Sequence, residues 1–348
     1  MKRTCLNLIS FSLILIVLFS SCKKGGSGTT PDPVPPVPST KDVYVAGYEL
    51  ISGSKSYAQL WKNGVVTHLT DGTQAARALS VFVYNRDVYV SGYESNGSRN
   101  VAILWKNGVA QKLTDGTKNA EAPGVCVSGG DVYVAINEFG TTNNIVKQWK
   151  NGSIKSLTAG LVSENASSIS VDGGLVCIAG TAFKNSYNRA TLWKNDSTIT
   201  LTSANFNSTA TSVQVLAGTV YVGGNEQSAI GAVTRLWKNG TQLYPALPNV
   251  KGGIYGIRAY DNDIYACGDI SSSGINSAAY IKNDASTFLT DQSIQSGCRS
   301  IFVSENIIYT AGYIKSGLYD VATYWKNGVS TKLGEGKNNS IALSVFVK

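Results

Sequence analysis

From residue 42 onward, apolar and polar positions alternate in short runs, a period of two that puts successive side chains on opposite faces of a strand. The stretch beginning at Ala78 shows one unit. "ALSVFV" is a first strand, and "YNR" turns the chain into a second, "DVYVSGY". The loop "ESNGSRN" leads to "VAILW", and "KNG" turns into "VAQKLT". "DGTKNAE" then crosses to the next unit. Asn-Gly is the strongest short hairpin signal, because both residues accept the positive φ of a type I′ turn. Asn195-Asp196 and Asn283-Asp284 are the weaker forms of that turn in two other units. No segment of useful length has the period of a helix.

The unit recurs. Trp61, Trp105, Trp149, Trp193, Trp237 and Trp325 each open a Trp-Lys-Asn triplet, and Ile281-Lys282-Asn283 fills the one gap at the same 44-residue step. In phase with it run "DVYVAGY", "DVYVSGY", "DVYVAIN", "LVCIAGT", "TVYVGGN", "DIYACGD" and "IIYTAGY", starting at residues 42, 87, 131, 175, 219, 263 and 307. Four strands in a unit of this length, repeated seven times, predict an all-β fold, a seven-bladed β-propeller spanning residues 42–348. A linear solenoid is the alternative, but it wants capping units at its ends. Here the ends are complementary. The chain enters its first unit without an "ALSVFV" strand and finishes on that strand at Ala342–Val347. The last strand is therefore expected to complete the first blade, closing a monomeric ring without open edges. The resemblance to propeller proteins stops at architecture, because the Trp-Asp signature of WD repeats, the Gly-Gly of kelch and the Asp-box of sialidases are all missing.

A repeated Trp is either a binding residue copied many times or a wall copied many times. Ile281 decides for the wall, since it fills space without offering a stacking plane or an indole N–H. Lys62, Lys106 and their equivalents sit at the hairpin shoulder, where the competing readings are edge protection and a basic ring for an anionic partner.

The first residues are not fold. Lys2 and Arg3, the apolar run Leu6–Phe19 and the small residues before Cys22 have the layout of a secretory leader, and the run is short of the roughly 20 residues of a membrane span. "FSSC" resembles the lipobox of bacterial lipoproteins, which implies a leader over residues 1–21, lipidation of Cys22 and a membrane anchor. Residues 22–41, rich in Gly, Ser and Pro, read as a tether. Lys23 in place of Asp implies the outer membrane, and "SCKK" is similar to lipoproteins of the Bacteroidota, on either its periplasmic side or the cell surface.

Charge changes the picture little. The chain has 30 Lys+Arg against 22 Asp+Glu, and several of the basic residues lie ahead of the repeat. That balance is too small and dispersed for a nucleic-acid partner. Catalytic chemistry is thin, with no phosphate loop, calcium loop or nucleophile elbow, and no cofactor or metal is expected. The single histidine, His68, reads as an outer-edge residue. Cys126 and Cys177 replace larger residues of the repeat and read as buried fillers. Cys267 and Cys298 occupy Ala positions in neighbouring units, so a disulfide is one outcome in an oxidising envelope and two free thiols the other. Diverging loops on a rigid ring are the expected place for recognition. Glu49, Glu94, Glu138 and Glu226 stand just past the second strand, either as solvated charges or as an acidic rim around the channel mouth. On the first strand Phe82, Cys126, Ser170, Gln214, Arg258, Phe302 and Phe346 vary between fixed neighbours, which points them at the channel or at unequal blade packing. Gln214 and Arg258 are the polar candidates. The function expected is a non-enzymatic binding or scaffold module for a glycan, peptide or envelope protein. A propeller-based polysaccharide lyase or glycoside hydrolase is the alternative, and near-identity of the units argues against a single asymmetric active site.

Overall fold

The computed structural model describes residues 41–348 apart from 204, 230, 244–250, 273 and 284. The leader, Cys22 and the tether as far as residue 40 lie outside the described residues. Among the described residues no helix is long and apolar enough to cross a membrane. Seven antiparallel sheets of four strands follow one another around a ring. Blade 1 consists of Val43–Ser52, Lys55–Lys62 and Val65–His68, with Ser340–Val347 as its inner strand. Blades 2 to 7 begin with the inner strands Ala76–Tyr84, Asn119–Ser128, Glu164–Asp172, Ser208–Leu216, Gly252–Tyr260 and Ser296–Ser304.

The ring closes through the last strand, as its sequence predicts. Val43 pairs with Val347 and Val45 with Val345. Asp42 N–H donates to Lys348 O at 2.8 Å, and Lys348 N–H donates back to Asp42 O at 3.0 Å. A solenoid would leave both ends open, so the closed seven-bladed propeller replaces that alternative.

Both faces of every blade are covered, and the Trp series shows how. Trp105 packs backward onto Tyr44 and Ala46 of blade 1. Its neighbour Leu104 points the other way, into a cluster with Val134 and Trp149 of blade 3. All six tryptophans and Ile281 are buried. The indole N–H groups of Trp61, Trp105, Trp193, Trp237 and Trp325 have no hydrogen-bond partner, so these rings contribute as apolar volume.

The rest of the triplet stitches strands two and three together. Asn63, Asn107, Asn151, Asn195, Asn239, Asn283 and Asn327 all take positive φ, between 45° and 53°. Each one uses its side-chain oxygen to accept a backbone N–H at the start of strand two, as Asn107 does from Val88 at 2.8 Å. Its own N–H donates to the carbonyl of that same residue. Where the unit opens with Asp, the Lys joins in, with ion pairs at 2.7–2.8 Å from Lys62, Lys106, Lys150 and Lys282 to Asp42, Asp87, Asp131 and Asp263. The same ammonium lies over the Tyr of strand two, 4.9 Å from its ring in the case of Lys150 and Tyr133. These lysines are committed within their own blades rather than arrayed as a free basic ring.

One glycine per blade does a different job. In six blades the Gly of the second strand faces a carbonyl of the inner strand so closely that a Cβ would sit 1.7–2.1 Å from the oxygen. The inner strand bulges there, with register shifts such as that between Ala78 and Ser80. Blade 3 has Ile136 at this position, and its inner strand carries the wider irregularity between Glu121 and Gly124 that includes Pro123. The bulge rotates one extra side chain of each inner strand off the ladder. Antiparallel connectivity places the first-to-second and third-to-fourth turns at one end of the ring and the crossovers at the other. The long loops expected beside the crossovers are shorter than their sequence suggests: strand pairing runs on until only two residues separate the second and third strands in five blades and four in the other two.

Replacing Trp149, 6% exposed between blades 2 and 3, by Ala is expected to lower the unfolding free energy by about 3–5 kcal/mol in urea titrations. Melting like the parent would remove it from the wall. The four aspartates of the stitch are held below their ordinary value of 3.8, first by the hydrogen bond from Lys and then by that from Asn. A depressed carboxylate pKa contributes stability that is present above 3.8 and lost as pH falls through the folded value. The triple variant Asp87→Asn, Asp131→Asn, Asp263→Asn should therefore melt below the parent at neutral pH, with the two midpoints converging under acid. A gap that persists unchanged down the acid limb would show that the stitch does not depend on these charges.

Candidate functional site

The rotated bulge residues meet at the axis. Leu79, Pro123, Ser167, Thr211, Tyr255, Arg299 and Leu343, one from each inner strand, line a cavity of about 160 Å³. Just inside them lies a second tier made of Ser80, Ser168, Ser212, Ser300 and Ser344, with Gly256 among its glycine gaps. Each serine oxygen accepts a backbone N–H from the next inner strand: Val81 to Ser344, Ile257 to Ser212 and Val345 to Ser300 at 3.1 Å, Val125 to Ser80 and Val213 to Ser168 at 3.4 Å. Accepting that bond fixes the hydroxyl while leaving its own hydrogen free to donate.

The tier below is the variable inner-strand set expected from the sequence, and its members do come together. Phe346 lies 4.7 Å from Phe82 and 4.8 Å from Phe302, measured between ring centroids. The Arg258 guanidinium stacks on Phe302 at 4.3 Å. Gln214 is a strut, donating to Ala259 O at 3.3 Å and accepting the Ala259 N–H. Ser170 accepts from Val215 N at 2.9 Å, and the Cys126 thiol donates to Val171 O at 3.8 Å. Aromatic rings and struts therefore floor the funnel. Arg258 is the charged member of that floor. Burial lowers its pKa, and its Nε has no hydrogen-bond partner.

Blades 6 and 7 break the symmetry at the rim. In blades 3 and 5, Asn137 and Asn225 reach across to the next inner strand and bind both backbone groups of one residue, Ala166 and Ile254. Blade 6 has Asp269 there, which accepts the Cys298 N–H at 3.1 Å but has no N–H to return. Its carboxylate instead takes the Arg299 guanidinium at 2.8 and 2.9 Å. The Arg299 guanidinium lies 4.3 Å from the Tyr255 ring and 5.2 Å from the Tyr313 ring. Gly297 leaves the room, since a Cβ there would lie 2.5 Å from Tyr313 and 2.8 Å from Asp269. Burial pushes the Asp269 carboxyl above its ordinary value against the pull of Arg299. Burial likewise raises both tyrosines. Tyr255 and Asp269 also line an adjoining cleft of about 310 Å³ with Asn225, Lys251 and Asn276.

The four glutamates are placed differently from the sequence expectation. They lie within the second strands, not past them, because pairing continues on both sides: Glu49 sits opposite Ser340 and Tyr57, Glu138 opposite Ala120 and Ile145. That is one strand outward from the channel, so they form no rim around it. Glu49 accepts from Gln59 at 3.0 Å. Glu138 pairs with Lys147 at 2.6 Å and Lys118 at 3.0 Å, and Glu226 with Arg235 at 2.6 Å. Burial raises the Glu94 carboxyl, with Asp71 adding to the effect.

Cys267 and Cys298 meet across the boundary of blades 6 and 7 within hydrogen-bonding reach, as two free, fully buried thiols. Burial raises the Cys267 thiol well above its ordinary value, and the Cys298 thiol donates to Ser300 O at 3.7 Å. Cys126 and Cys177 are buried and free. His68 ends an outermost strand, edge-on to Tyr57 at 4.1 Å. Among the described residues no group of three or more His, Cys, Asp or Glu is placed to hold a metal ion.

The bulge ring and the Asp269–Arg299 pair were missed from the sequence. Their signal was present: at the residue before the second-tier serine the seven copies carry six different residue types, and blade 6 has Asp where two others have Asn.

No family model matches the chain, and no curated protein matches it. Solved structures do match, among them the crystal structure of TolB from Acinetobacter baumannii, at TM-score 0.47 and 10% identity, over 70% of this chain and 61% of that one.

Proposed function

We propose that this protein is a lipid-anchored, non-enzymatic binding module of the bacterial envelope, which takes a hydroxyl-rich ligand, a glycan above all, at the loop-face mouth of its channel. One observation carries the reading. The funnel is ringed by serine hydroxyls whose oxygens are already held by backbone N–H groups, so each keeps a hydrogen to donate to a ligand in the cavity it lines. Preorganised donors of this kind bind a polyhydroxylated ligand without first ordering themselves. Arg299 and Tyr255 add a guanidinium and a phenol on one side only, which gives a ring of similar blades a single direction.

The volume favours a terminal group over a whole ligand. Pockets for drug-sized ligands run from about 300 Å³ upward, and the funnel is about half that. Tyr255 links it to the cleft of about 310 Å³ between blades 5 and 6, where a second unit of the ligand fits. The anchor rests on the sequence: a charged, apolar, small-residue leader ending at Cys22, followed by a Pro-rich tether that holds the ring off the bilayer.

The test is a glycan array and an envelope pull-down with the purified protein and two variants. Ser167→Arg puts at another bulge the residue that blade 7 carries as Arg299, so the fold has a precedent for it and the funnel is blocked. Saturable binding that disappears in Ser167→Arg and survives in a Glu94→Gln/Glu138→Gln double variant is expected. Loss in the glutamate variant alone would move the site outward to the second strands, and turnover of the bound glycan would make the protein an enzyme.

A further inference from the structure

Four residues before the Trp, most blades carry an apolar side chain: Val101, Ile145, Val233 and Val321. It packs beneath its own blade's crossover, where Gly116 and Gly160 lie 3.1 Å from Val101 and Ile145 as measured from a built Cβ. Blade 4 carries Arg189 in this slot. The arginine does not escape to solvent. It is 5% exposed, its guanidinium lies 5.1 Å from the Tyr187 ring, and its Nη1 has no hydrogen-bond partner. Among the described residues no carboxylate stands within ion-pair distance of it. Glu164 shares its cross-strand row through Ala182, yet interacts with Thr158 instead.

A buried cation without a counter-charge is among the costlier features a core can hold. Sibling blades show that Val or Ile fills the slot, so the fold itself does not require Arg. Departures of this kind are expected where a site needs them. Beside Arg189 opens a cleft of about 460 Å³, lined also by Lys184, Asn185, Thr200, Thr202 and Ser203, with no acidic residue among its walls. Two cations, an amide and three hydroxyls converge there without an anion to receive them.

We propose that this cleft on blade 4 is a binding site for an oxyanion, either the carboxylate of an acidic sugar or a tetrahedral sulfate or phosphate group, with Arg189 as its anchoring charge. A guanidinium matches both geometries by presenting paired N–H donors. Lys184, at the exposed end of the second strand, adds charge at the entrance. The site is separate from the axial funnel and stands or falls without it.

The experiment measures thermal unfolding and calorimetric binding of the full chain with sodium sulfate, sodium phosphate or sodium glucuronate, against sodium chloride at equal ionic strength. Sulfate and phosphate stabilise folded proteins generally, so only the part of the shift that depends on Arg189 counts. In chloride, Arg189→Val should melt above the parent, because it removes the unpaired charge and restores the residue of the sibling blades. With the oxyanion, the parent's midpoint should rise beyond that of Arg189→Val, and calorimetric binding should vanish in the variant. Arg189→Met, which keeps more of the side-chain length, repeats the comparison. A response to glucuronate alone identifies a sugar carboxylate, and a response to sulfate or phosphate identifies a tetrahedral group. Equal shifts in parent and variants, or a chloride midpoint lowered in both variants, would overturn the proposal. Ser167→Arg should leave this response intact, which separates it from the funnel.

Discussion

Every blade of this ring is apolar on both faces, and a sheet of that kind is stable only when another sheet covers each side. A linear stack would satisfy all units but the first and last. Pairing Val43–Ser52 with Ser340–Val347 removes the exception, and it also seals Trp61 against blade 7, where it packs with Phe302 and Ala322. Closure is therefore a condition for burying the end blades as well as for pairing their edges. The cost is long-range order, because nothing shorter than the whole repeat array brings residue 43 to residue 347.

Packing of that regularity leaves few places for chemistry. Strand two must approach strand one closely, and in six blades only Gly allows it. The resulting bulge is where the ladder releases a side chain, so one constraint produces both the tight wall and the ring of side chains at the axis. Differences between the blades could accumulate there without disturbing the Trp layer. Leu79, Ser167 and Arg299 share one backbone position and have little else in common.

That separation explains what was legible in the sequence. The Trp spacing, the Asn-Gly turns and the complementary ends all encode backbone periodicity, and the fold follows from them directly. The variable inner-strand set was legible too, because its members range from Phe82 to Gln214 and Arg258 while the residues on either side stay Val, Ile or Ala, and Phe82 and Phe346 do meet. The glutamates were misplaced because conservation of type among copies suggested a shared loop function. Their actual partners, Gln59, Lys147 and Arg235, lie on the third strand nine or ten residues away, a pairing that register alone reveals. Asp269 and Arg299 are 30 residues apart and belong to different blades. Only the geometry between blades joins them.

A repeat also supplies its own controls, which a single-copy fold lacks. Asp269 can be compared with Asn137 and Asn225, and the comparison isolates what the exchange changes: one donor is lost, and a carboxylate is left to orient Arg299. Arg189 compares with Val101 and Val321, and that contrast isolates a charge that the wall does not need. Both departures cluster toward the loop end of the ring, and none of the tight-turn stitches departs in the same way. All seven Asn residues of the stitch keep the same bond to the strand beside them. The uniformity is that of the Asn bonds alone, since the Lys of the stitch meets an Asp in four units and Arg258, a buried cation whose Nε has no partner, lies near the tight-turn end of its inner strand. Seven alike Asn bonds at one end, against the single exchanges at Asp269 and Arg189 toward the other, are thus the contrast on which the proposed recognition at the loop face rests.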